Sequence, residues 1–340
     1  MKKRVGEGTI IFESRPSVIG YGSCVGKKEK EGPLGDYFAD CDLDTSFGQN
    51  TWEKSESELQ RRAYKTAKQR AQIKDEDIDI VFAGDLLNQC IASAYATRGT
   101  SRPFIGLYGA CSTMAESLSM ACAFVDASFA KTAAAITSSH FCAAERQFRF
   151  PLEYGGQRTP ASQWTVTGSG AVLVSSHSDE LISIEKICPG AICDFGVQDI
   201  NNMGSAMAPA AADTLKRFFR DTKTKPSDYG AVVTGDLGEV GSKLLLRLCD
   251  MEKIDLSNHL DCGKMIFDTE TQNVKSGGSG CGCSASVLTS YFLPLLEKRE
   301  IPDILFMATG ALMSPTSIQQ KESIPAVAHL VHIKAPLHGA

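Results

Sequence analysis

The sequence has few of the features that mark exported, membrane-spanning or nucleic-acid-binding chains. Its 35 Lys and Arg residues against 40 Asp and Glu give a net charge of −5, which argues against a general nucleic-acid or anionic-membrane surface. The basic opening residues lack the apolar stretch of a secretory signal, and no run approaches the ~20 apolar residues of a membrane helix. We therefore expect a protein retained on the cytoplasmic side, with no nucleic acid among its partners.

Cysteine, by contrast, is abundant, with 12 residues. In a chain without an export signal these thiols are expected to stay reduced, so no disulfide framework is predicted. Zinc is also disfavoured, because Cys281 and Cys283 form C-x-C rather than C-x-x-C and no matching His or Cys pair follows. The sequence predicts no metal site and no cofactor.

The chain resembles itself. Two stretches, 71–89 and 222–240, run from an acidic turn into a short apolar strand that ends in Gly-Asp-Leu, so that Asp85 corresponds to Asp236. Four further pairs of segments correspond in chain order, namely 16–26 with 182–196, 108–118 with 279–290, 133–140 with 304–314, and 168–175 with 325–333. Strands that alternate with helices predict a largely parallel sheet in each half. We predict an α/β fold of two duplicated halves, 1–180 and 181–340, in a layered α/β/α/β/α arrangement.

A cysteine stands where the buried helix of the first half is predicted to begin. Cys111 lies in the stretch "GACSTMAESLSMAC", and its second-half counterpart is "SGCGCSAS". Small residues suit a helix that is buried on every side, so packing alone accounts for the pattern without requiring a cysteine. A thiol at a helix N-terminus can also be a nucleophile, since the helix dipole and free N–H groups lower its pKa.

A duplicated strand-helix unit with a cysteine at the start of a buried helix resembles the thiolase fold, which includes thiolases and β-ketoacyl synthases. A closer resemblance rests on seven strings in this order, "AGDLLNQ", "GACSTMAES", "SSHFCAAERQFRFPLEYGGQ", "QWTVTGSGAVL", "MGSAMAPAAADT", "TGDLG" and "GGSGCGCSAS". Together they are similar to the stage V sporulation protein AD family of spore-forming bacteria.

The resemblance to that family implies a thiolase-like protein that binds pyridine-2,6-dicarboxylic acid (dipicolinate) and takes part in its uptake into the developing spore. It implies as partners dipicolinate, membrane proteins of the same sporulation complex and a second copy of the chain in a homodimer. It also implies peripheral association, on the cytoplasmic side, with the forespore or spore inner membrane.

Condensing enzymes of the thiolase fold need more than a cysteine. Cys111 matches their nucleophile, but Asp236 stands where the synthases carry a second-half histidine. Their second His or Asn falls within "GGSGCGCSAS", where the nearest candidates are Cys281 and Cys283. An ionised Asp cannot donate a hydrogen bond to an enolate oxygen and repels the developing charge. We therefore predict a non-catalytic protein, and the alternative is an acyltransferase with Cys111 as nucleophile.

The predicted ligand site lies in the central cleft between the halves. Unpaired N–H groups at the start of the Cys111 helix and in the 276–282 turn are expected to seat a carboxylate of dipicolinate. The candidate ligand-binding residues are Asp85, Cys111, Ser112, His140, Arg146, Arg149, Asp236, Gly280, Cys281, Gly282 and Cys283.

Several of these candidates have an alternative role. Asp85 and Asp236 are awkward neighbours for a dianion, and three states stay open: protonated, holding loops through backbone N–H bonds, or binding a cation such as calcium that accompanies the ligand. His140 is equally well a structural residue. Arg146 and Arg149 are alternatively solvated or located at a dimer interface.

Overall fold

Strands and helices alternate along the described part of the chain, which in this computed structural model comprises residues 3–148 and 158–337. The candidate Arg149 lies outside the described residues. The strands are β1 (Arg4–Val5), β2 (Thr9–Ile11), β3 (Ser17–Val25), β4 (Ile80–Gly84), β5 (Phe104–Gly106), β6 (Thr132–Ser139), β7 (Trp164–Thr165), β8 (Gly168–Ser175), β9 (Ser183–Cys188), β10 (Ala231–Thr234), β11 (His259–Asp261), β12 (Gly278–Ser279), β13 (Asp303–Ala311) and β14 (Ala326–Lys334). The α-helices are α1 (Lys27–Lys30), α2 (Trp52–Ala71), α3 (Ile91–Thr97), α4 (Thr113–Asp126), α5 (Phe141–Phe148), α6 (Met203–Thr222), α7 (Gly238–Met251), α8 (Cys262–Met265), α9 (Cys281–Val287), α10 (Leu293–Glu297) and α11 (Pro315–Gln319).

Two sets of five strands share one order and one pattern of directions. The order is β5-β4-β6-β8-β3 in the first half and β11-β10-β13-β14-β9 in the second. In each set the strand that ends in the Gly-Asp-Leu turn, β4 or β10, is parallel to both neighbours. The strands β8 and β14 are antiparallel to theirs. One residue pair, Ser17 with Ser183, joins the two sets into a large central sheet. The α/β fold class is confirmed.

The helices form layers outside and between the two sets of strands. Helix α2 packs on β3, β6 and β8, and helix α6 packs on β13 and β14 beside α7. Helix α4 contacts β4 and β6 of the first set and β13 and β14 of the second, and it also packs against α9. This places α4 and α9 in the middle layer of an α/β/α/β/α arrangement. The predicted division between 1–180 and 181–340 falls in the connection from β8 to β9, and the two halves as separate domains stay a prediction.

Close packing explains the small residues at the start of α9. All residues of α9 are buried, and a Cβ atom added to Gly282 would lie 2.2 Å from the carbonyl oxygen of Gly168 on β8. The sequence predicts that the inner helix of the first half begins at Cys111, but it begins at Thr113. Helix α9 begins at Cys281, within the stretch predicted as its counterpart. At Cys111 the reason is a tight turn, in which the Ser112 amide donates to the Gly109 carbonyl before the helix begins.

All twelve cysteines lie in the described part of the chain, and each carries a free thiol. Nine-residue strands such as β3 and β13 supply much of the buried apolar core together with α4 and α9. Across residues 3–148 and 158–337, none of the helices has the length and apolar character needed to cross a bilayer.

Candidate functional site

A narrow cleft surrounds Cys111 at the ends of the central strands. The lining residues come from both halves of the chain and are Leu86, Tyr108, Ala110, Cys111, Gln147, Phe148, Thr165, Met203, Ser279, Gly280, Ala311 and Met313. We call this space the Cys111 cleft. Its volume open to a water-sized sphere is about 20 Å³, which is room for about one water molecule. Among these described lining residues there is no Lys, Arg, His, Asp or Glu.

The turn before α4 fixes the position of Cys111. Ala110 has a φ of 49°, an unusual left-handed conformation for alanine, and Cys111 follows it directly. The opposite wall is equally tight, since a Cβ atom on Gly310 would lie 2.2 Å from the Gly109 carbonyl oxygen. The amides of Ser112 and Thr113 donate to the carbonyls of Gly109 and Ala110. The expectation of unpaired N–H groups for a carboxylate is therefore wrong at these two positions.

Asp236 lies beside Cys111 and is fully buried. Its carboxylate accepts hydrogen bonds from the Gly280 amide at 2.9 Å and the Thr309 hydroxyl at 2.8 Å. Burial raises the pKa of Asp236 to about 7, against the effect of these hydrogen bonds. Burial, and next the charge of Asp236, raise the pKa of the Cys111 thiol well above its usual value. Cys111 is therefore held as a thiol.

The second-half turn brings one of its two cysteines to Cys111. Cys281 packs in one buried cluster with Cys111, and its thiol donates to the carbonyl of Ser138 at 2.9 Å. Cys283 lies elsewhere, with its sulfur 3.5 Å from the carbonyl oxygen of Gly235 and its side chain in the main core. The amides of this turn are also used, since Gly280 donates to Asp236 and the Gly282 amide donates to the Ser139 hydroxyl.

Asp85 occupies the corresponding place in the first half, but it holds its own loop. Its carboxylate accepts from the Leu87 amide at 2.9 Å, the Ser93 amide at 2.8 Å and the Ser93 hydroxyl at 2.6 Å. Burial raises the pKa of Asp85, and these donors oppose the rise. Of the three states left open by the sequence, the contacts of Asp85 are those of a loop-holding carboxylate.

Two other candidates point away from the Cys111 cleft. His140 follows β6 as expected, but its ring bonds the Thr45 carbonyl at 2.7 Å and stacks on Trp52, with ring centres 5.4 Å apart. Arg146 forms an ion pair with Glu53 of α2 and lines a separate surface pocket with Trp52. Ser112 donates its hydroxyl to the Gly109 carbonyl at 2.6 Å. Among the described candidates, the lining thus includes only Cys111 and Gly280. Asp236 binds the Gly280 amide, and Cys281 packs in one cluster with Cys111.

Sequence reasoning missed several lining residues. Phe148 and Met203 lie within the strings that carried the family resemblance, and Tyr108 directly precedes one of them, so their neighbourhood was marked although their side chains were not. The Tyr108 hydroxyl is able to donate a hydrogen bond at the edge of the cleft. Met313 lies in the segment 304–314, which the repeat pairs with 133–140, but nothing in the sequence marked its side chain as part of a site.

Comparisons with solved structures define the class of the protein. A variant of OleA from Xanthomonas campestris matches with a TM-score of 0.61 and 10% identity, over 95% of this chain and 99% of that chain. The 3-oxoacyl-[acyl-carrier-protein] synthase III of Aquifex aeolicus matches with a TM-score of 0.57 and 12% identity, over 94% and 99% of the two chains. At such identities the likeness shows the fold alone, and the fold is thiolase-like.

Sequence comparisons then give the family. The profile of the stage V sporulation protein AD family (SpoVAD) matches residues 6–334. Stage V sporulation protein AD of Bacillus subtilis (strain 168) is 44% identical over 328 residues, which cover 96% of each chain. The chain belongs to the stage V sporulation protein AD family, which confirms the interpretation of the sequence motifs.

Proposed function

We propose that this protein binds dipicolinate in the Cys111 cleft without turning it over, and takes part in its uptake into the developing spore. The observation that carries the non-catalytic part is the buried Asp236 carboxylate, which binds the Gly280 amide in the wall of the Cys111 cleft and whose charge disfavours the Cys111 thiolate. A nucleophilic thiol needs a base or a cation that favours the thiolate. Cys111 instead faces a carboxylate that disfavours the thiolate, and the described lining offers no imidazole.

The lining supports a flat, partly polar ligand. Leu86, Phe148 and Met203 supply apolar surface for a ring, and Gln147 and Tyr108 carry an amide and a hydroxyl able to donate to carboxylates. The cleft must widen to admit a ring, since it has room for only about one water molecule. Methionine side chains are unbranched and adapt readily, so Met203 and Met313 are the residues we expect to move. A calcium ion that accompanies the ligand remains part of the proposal to be tested.

The test is calorimetric titration with dipicolinate, with and without calcium, beside a thioester-hydrolysis assay on the same sample. We expect binding and no turnover. Cys111→Ser keeps a donor for Asp236 and should weaken binding by less than about tenfold, or ~1.4 kcal/mol. Cys111→Leu fills the cleft and should abolish binding, whereas Cys122→Leu, at a buried cysteine of the helix that follows Cys111, is the matched control. Turnover that Cys111→Ala removes would instead establish the acyltransferase alternative.

We also propose a homodimer that forms through β5. This strand ends the first set of five, and its residues are exposed, including Phe104 and Ile105 at 36% and 38%. Tyr108, at 49% exposure, continues this apolar edge toward the cleft. An exposed apolar edge strand offers unpaired backbone groups to a second copy. Light scattering after gel filtration should give a dimer that Ile105→Asp converts to a monomer, and a monomeric parent protein would contradict the proposal.

Membrane association is proposed on the family resemblance alone. We propose that the protein lies on the cytoplasmic side of the forespore or spore inner membrane, bound through membrane proteins of the same sporulation complex. Fractionation of sporulating cells should place it with membranes, and deletion of those partners should release it. Release by neither salt nor partner deletion would contradict a peripheral association.

A further inference from the structure

A buried polar network lies behind the Cys111 cleft, on the side of α2. Gln60 of α2 donates its amide to the hydroxyls of Ser93 and Ser138, at 2.8 and 2.9 Å. Ser138 in turn donates to one carboxylate oxygen of Glu56 at 2.9 Å, and Ser93 donates to Asp85 at 2.6 Å. All five side chains are buried. Hydrogen bonds therefore connect Asp85 to Glu56 without a break.

Two oxygens of this network have no donor. They are Oε2 of Glu56 and Oε1 of Gln60, both fully enclosed. The two residues are four positions apart on one helix, so their side chains are neighbours on the same face. Two buried acceptors without donors are unfavourable, because each has lost its hydrogen bonds to water without gaining one from the protein. One proton on Glu56 would satisfy both, since the resulting hydroxyl donates to Gln60.

We propose that Glu56 is a neutral carboxylic acid whose proton is shared with Gln60, and that through Ser138 it positions the Cys281 side of the Cys111 cleft. The structural link is short, because the same Ser138 that binds Glu56 through its hydroxyl accepts the Cys281 thiol at its carbonyl. Glu56 acts through Ser138 and does not line the cleft, so it is a positioning residue. The positioning role concerns the Cys111 cleft and so rests on the proposed function, whereas the neutral state of Glu56 does not.

The surroundings favour the neutral acid. Burial is the largest cause that raises the pKa of Glu56 well above its usual value, and the nearby Asp85 adds to it. Burial is also the largest cause that raises the pKa of the Cys281 thiol, which lies on the other side of Ser138. The titratable and charged groups on the described elements around Glu56 are Asp85, His140, Cys281, Tyr21 and Cys24 of β3, Tyr95 of α3, and Cys142, Glu145 and Arg146 of α5. Of these, His140 supplies only a backbone hydrogen bond, and Arg146 is paired with Glu53.

The sign of the pH dependence follows from the raised pKa. The folded protein keeps a proton that the unfolded chain releases above pH ~4.3, so this contribution to stability is lost as the pH rises toward the folded-state pKa. One such proton changes the folding equilibrium constant about tenfold per pH unit. Glu56→Gln replaces the acid by an amide, which donates to Gln60 at every pH. The variant should therefore gain stability relative to wild type as the pH rises.

The experiment compares wild type, Glu56→Gln and Glu56→Ala in the full chain. Urea unfolding measures the folding equilibrium constant of each variant from pH 5 to 8. The ratio of this constant in Glu56→Gln to that in wild type should rise by up to about tenfold per pH unit. The infrared spectrum of wild type should contain a protonated-carboxyl band that Glu56→Gln removes. Alkylation of Cys281, read from its peptide by mass spectrometry, should be unchanged in Glu56→Gln and several-fold faster in Glu56→Ala.

Glu29→Gln is the matched control. Glu29 is a buried glutamate whose pKa burial raises to about 7, but it accepts from the Thr167 amide and is not a member of this network. Replacing Glu29 by Gln should make the stability of the protein less dependent on pH and leave the alkylation rate of Cys281 unchanged. If the stability of wild type and Glu56→Gln changes in parallel with pH, or if no protonated-carboxyl band is lost, Glu56 is not a neutral acid. A cation bound between ionised oxygens would give both results.

The positioning role has its own refutation. If Glu56→Gln accelerates Cys281 alkylation as Glu56→Ala does, or if Glu56→Ala leaves it unchanged, Glu56 does not position the cleft. If Glu56→Ala fails to fold, the result for Glu56→Gln still decides. None of these measurements uses dipicolinate, so the absence of dipicolinate binding by wild type would refute the proposed function and leave this proposal standing.

Discussion

The two Gly-Asp-Leu turns follow equivalent strands, β4 and β10, yet their aspartates bind different partners. Asp85 accepts only from its own loop and the start of α3, through the amides of Leu87 and Ser93 and the Ser93 hydroxyl. Asp236 accepts nothing from its own turn and reaches Gly280 and Thr309 instead. The repeat thus preserved a residue and a position while the contacts of that residue diverged.

A third aspartate explains why Asp236 is not needed to hold the second turn. Asp261, at the end of β11, accepts from the amides of Leu237 and Gly238 at 2.9 and 3.0 Å, and from the Thr234 hydroxyl at 2.6 Å. It therefore holds the turn after Asp236 as Asp85 holds the turn after itself. In the first half one carboxylate, Asp85, holds the turn. In the second half Asp261 holds the turn and Asp236 contacts the cleft.

The largest expected effect tests this division directly. In Asp85→Asn one oxygen becomes an NH2 group that faces a backbone N–H, because both oxygens of Asp85 accept from backbone amides. Neither amide can reverse its role, and such an unsatisfied buried donor pair should cost about 2–4 kcal/mol of the free energy of unfolding. Asp236→Asn should cost less than about 1 kcal/mol, since the Thr309 hydroxyl can turn and accept from the new NH2 group.

Urea unfolding of both variants at one pH measures this difference. Asp261→Asn is the control, and it should resemble Asp85→Asn because its oxygens also face backbone amides. Equal losses for Asp85→Asn and Asp236→Asn would mean that the two turns depend on their aspartates alike, and the proposed division would fail.

Element order and the adjacency of Cys111, Asp236 and Cys281 could be predicted from the sequence, for different reasons. The order follows from local patterns repeated twice along the chain. The adjacency followed from the family resemblance, since no local pattern says that Asp236 approaches a cysteine 125 positions earlier. The direction of the His140 ring was not predictable, because it depends on Trp52 and Thr45, which are distant in sequence. The hydrogen bond from the Ser112 amide to the Gly109 carbonyl was also not predictable, because it depends on the geometry of a turn that composition does not determine.

The equivalent glycines give a second, smaller contrast. A Cβ atom on Gly84 would lie 2.2 Å from the Leu107 carbonyl oxygen, whereas on Gly235 its nearest neighbours are at 3.1 Å, on Ala308 and Ser284. Gly84→Ala must displace backbone and should cost about 1–3 kcal/mol, while Gly235→Ala should cost less than about 1 kcal/mol. Thermal unfolding at fixed protein concentration measures both, and a larger loss for Gly235→Ala would show that the second turn is the tighter one.

The smallest expected effect concerns the reactivity of Cys111. Because the charge of Asp236 helps to raise the pKa of this thiol, Asp236→Asn should lower that pKa and increase the thiolate fraction at pH 8. Burial remains the larger cause, so the rate of alkylation by iodoacetamide should rise by only about three- to tenfold. Mass spectrometry of the Cys111 peptide measures the rate, and Cys122 in the same sample is the control, because burial and Asp126 raise its pKa. An unchanged rate at Cys111 would mean that burial alone protects the thiol, and that Asp236 serves the cleft through its hydrogen bonds to Gly280 and Thr309 rather than through its charge.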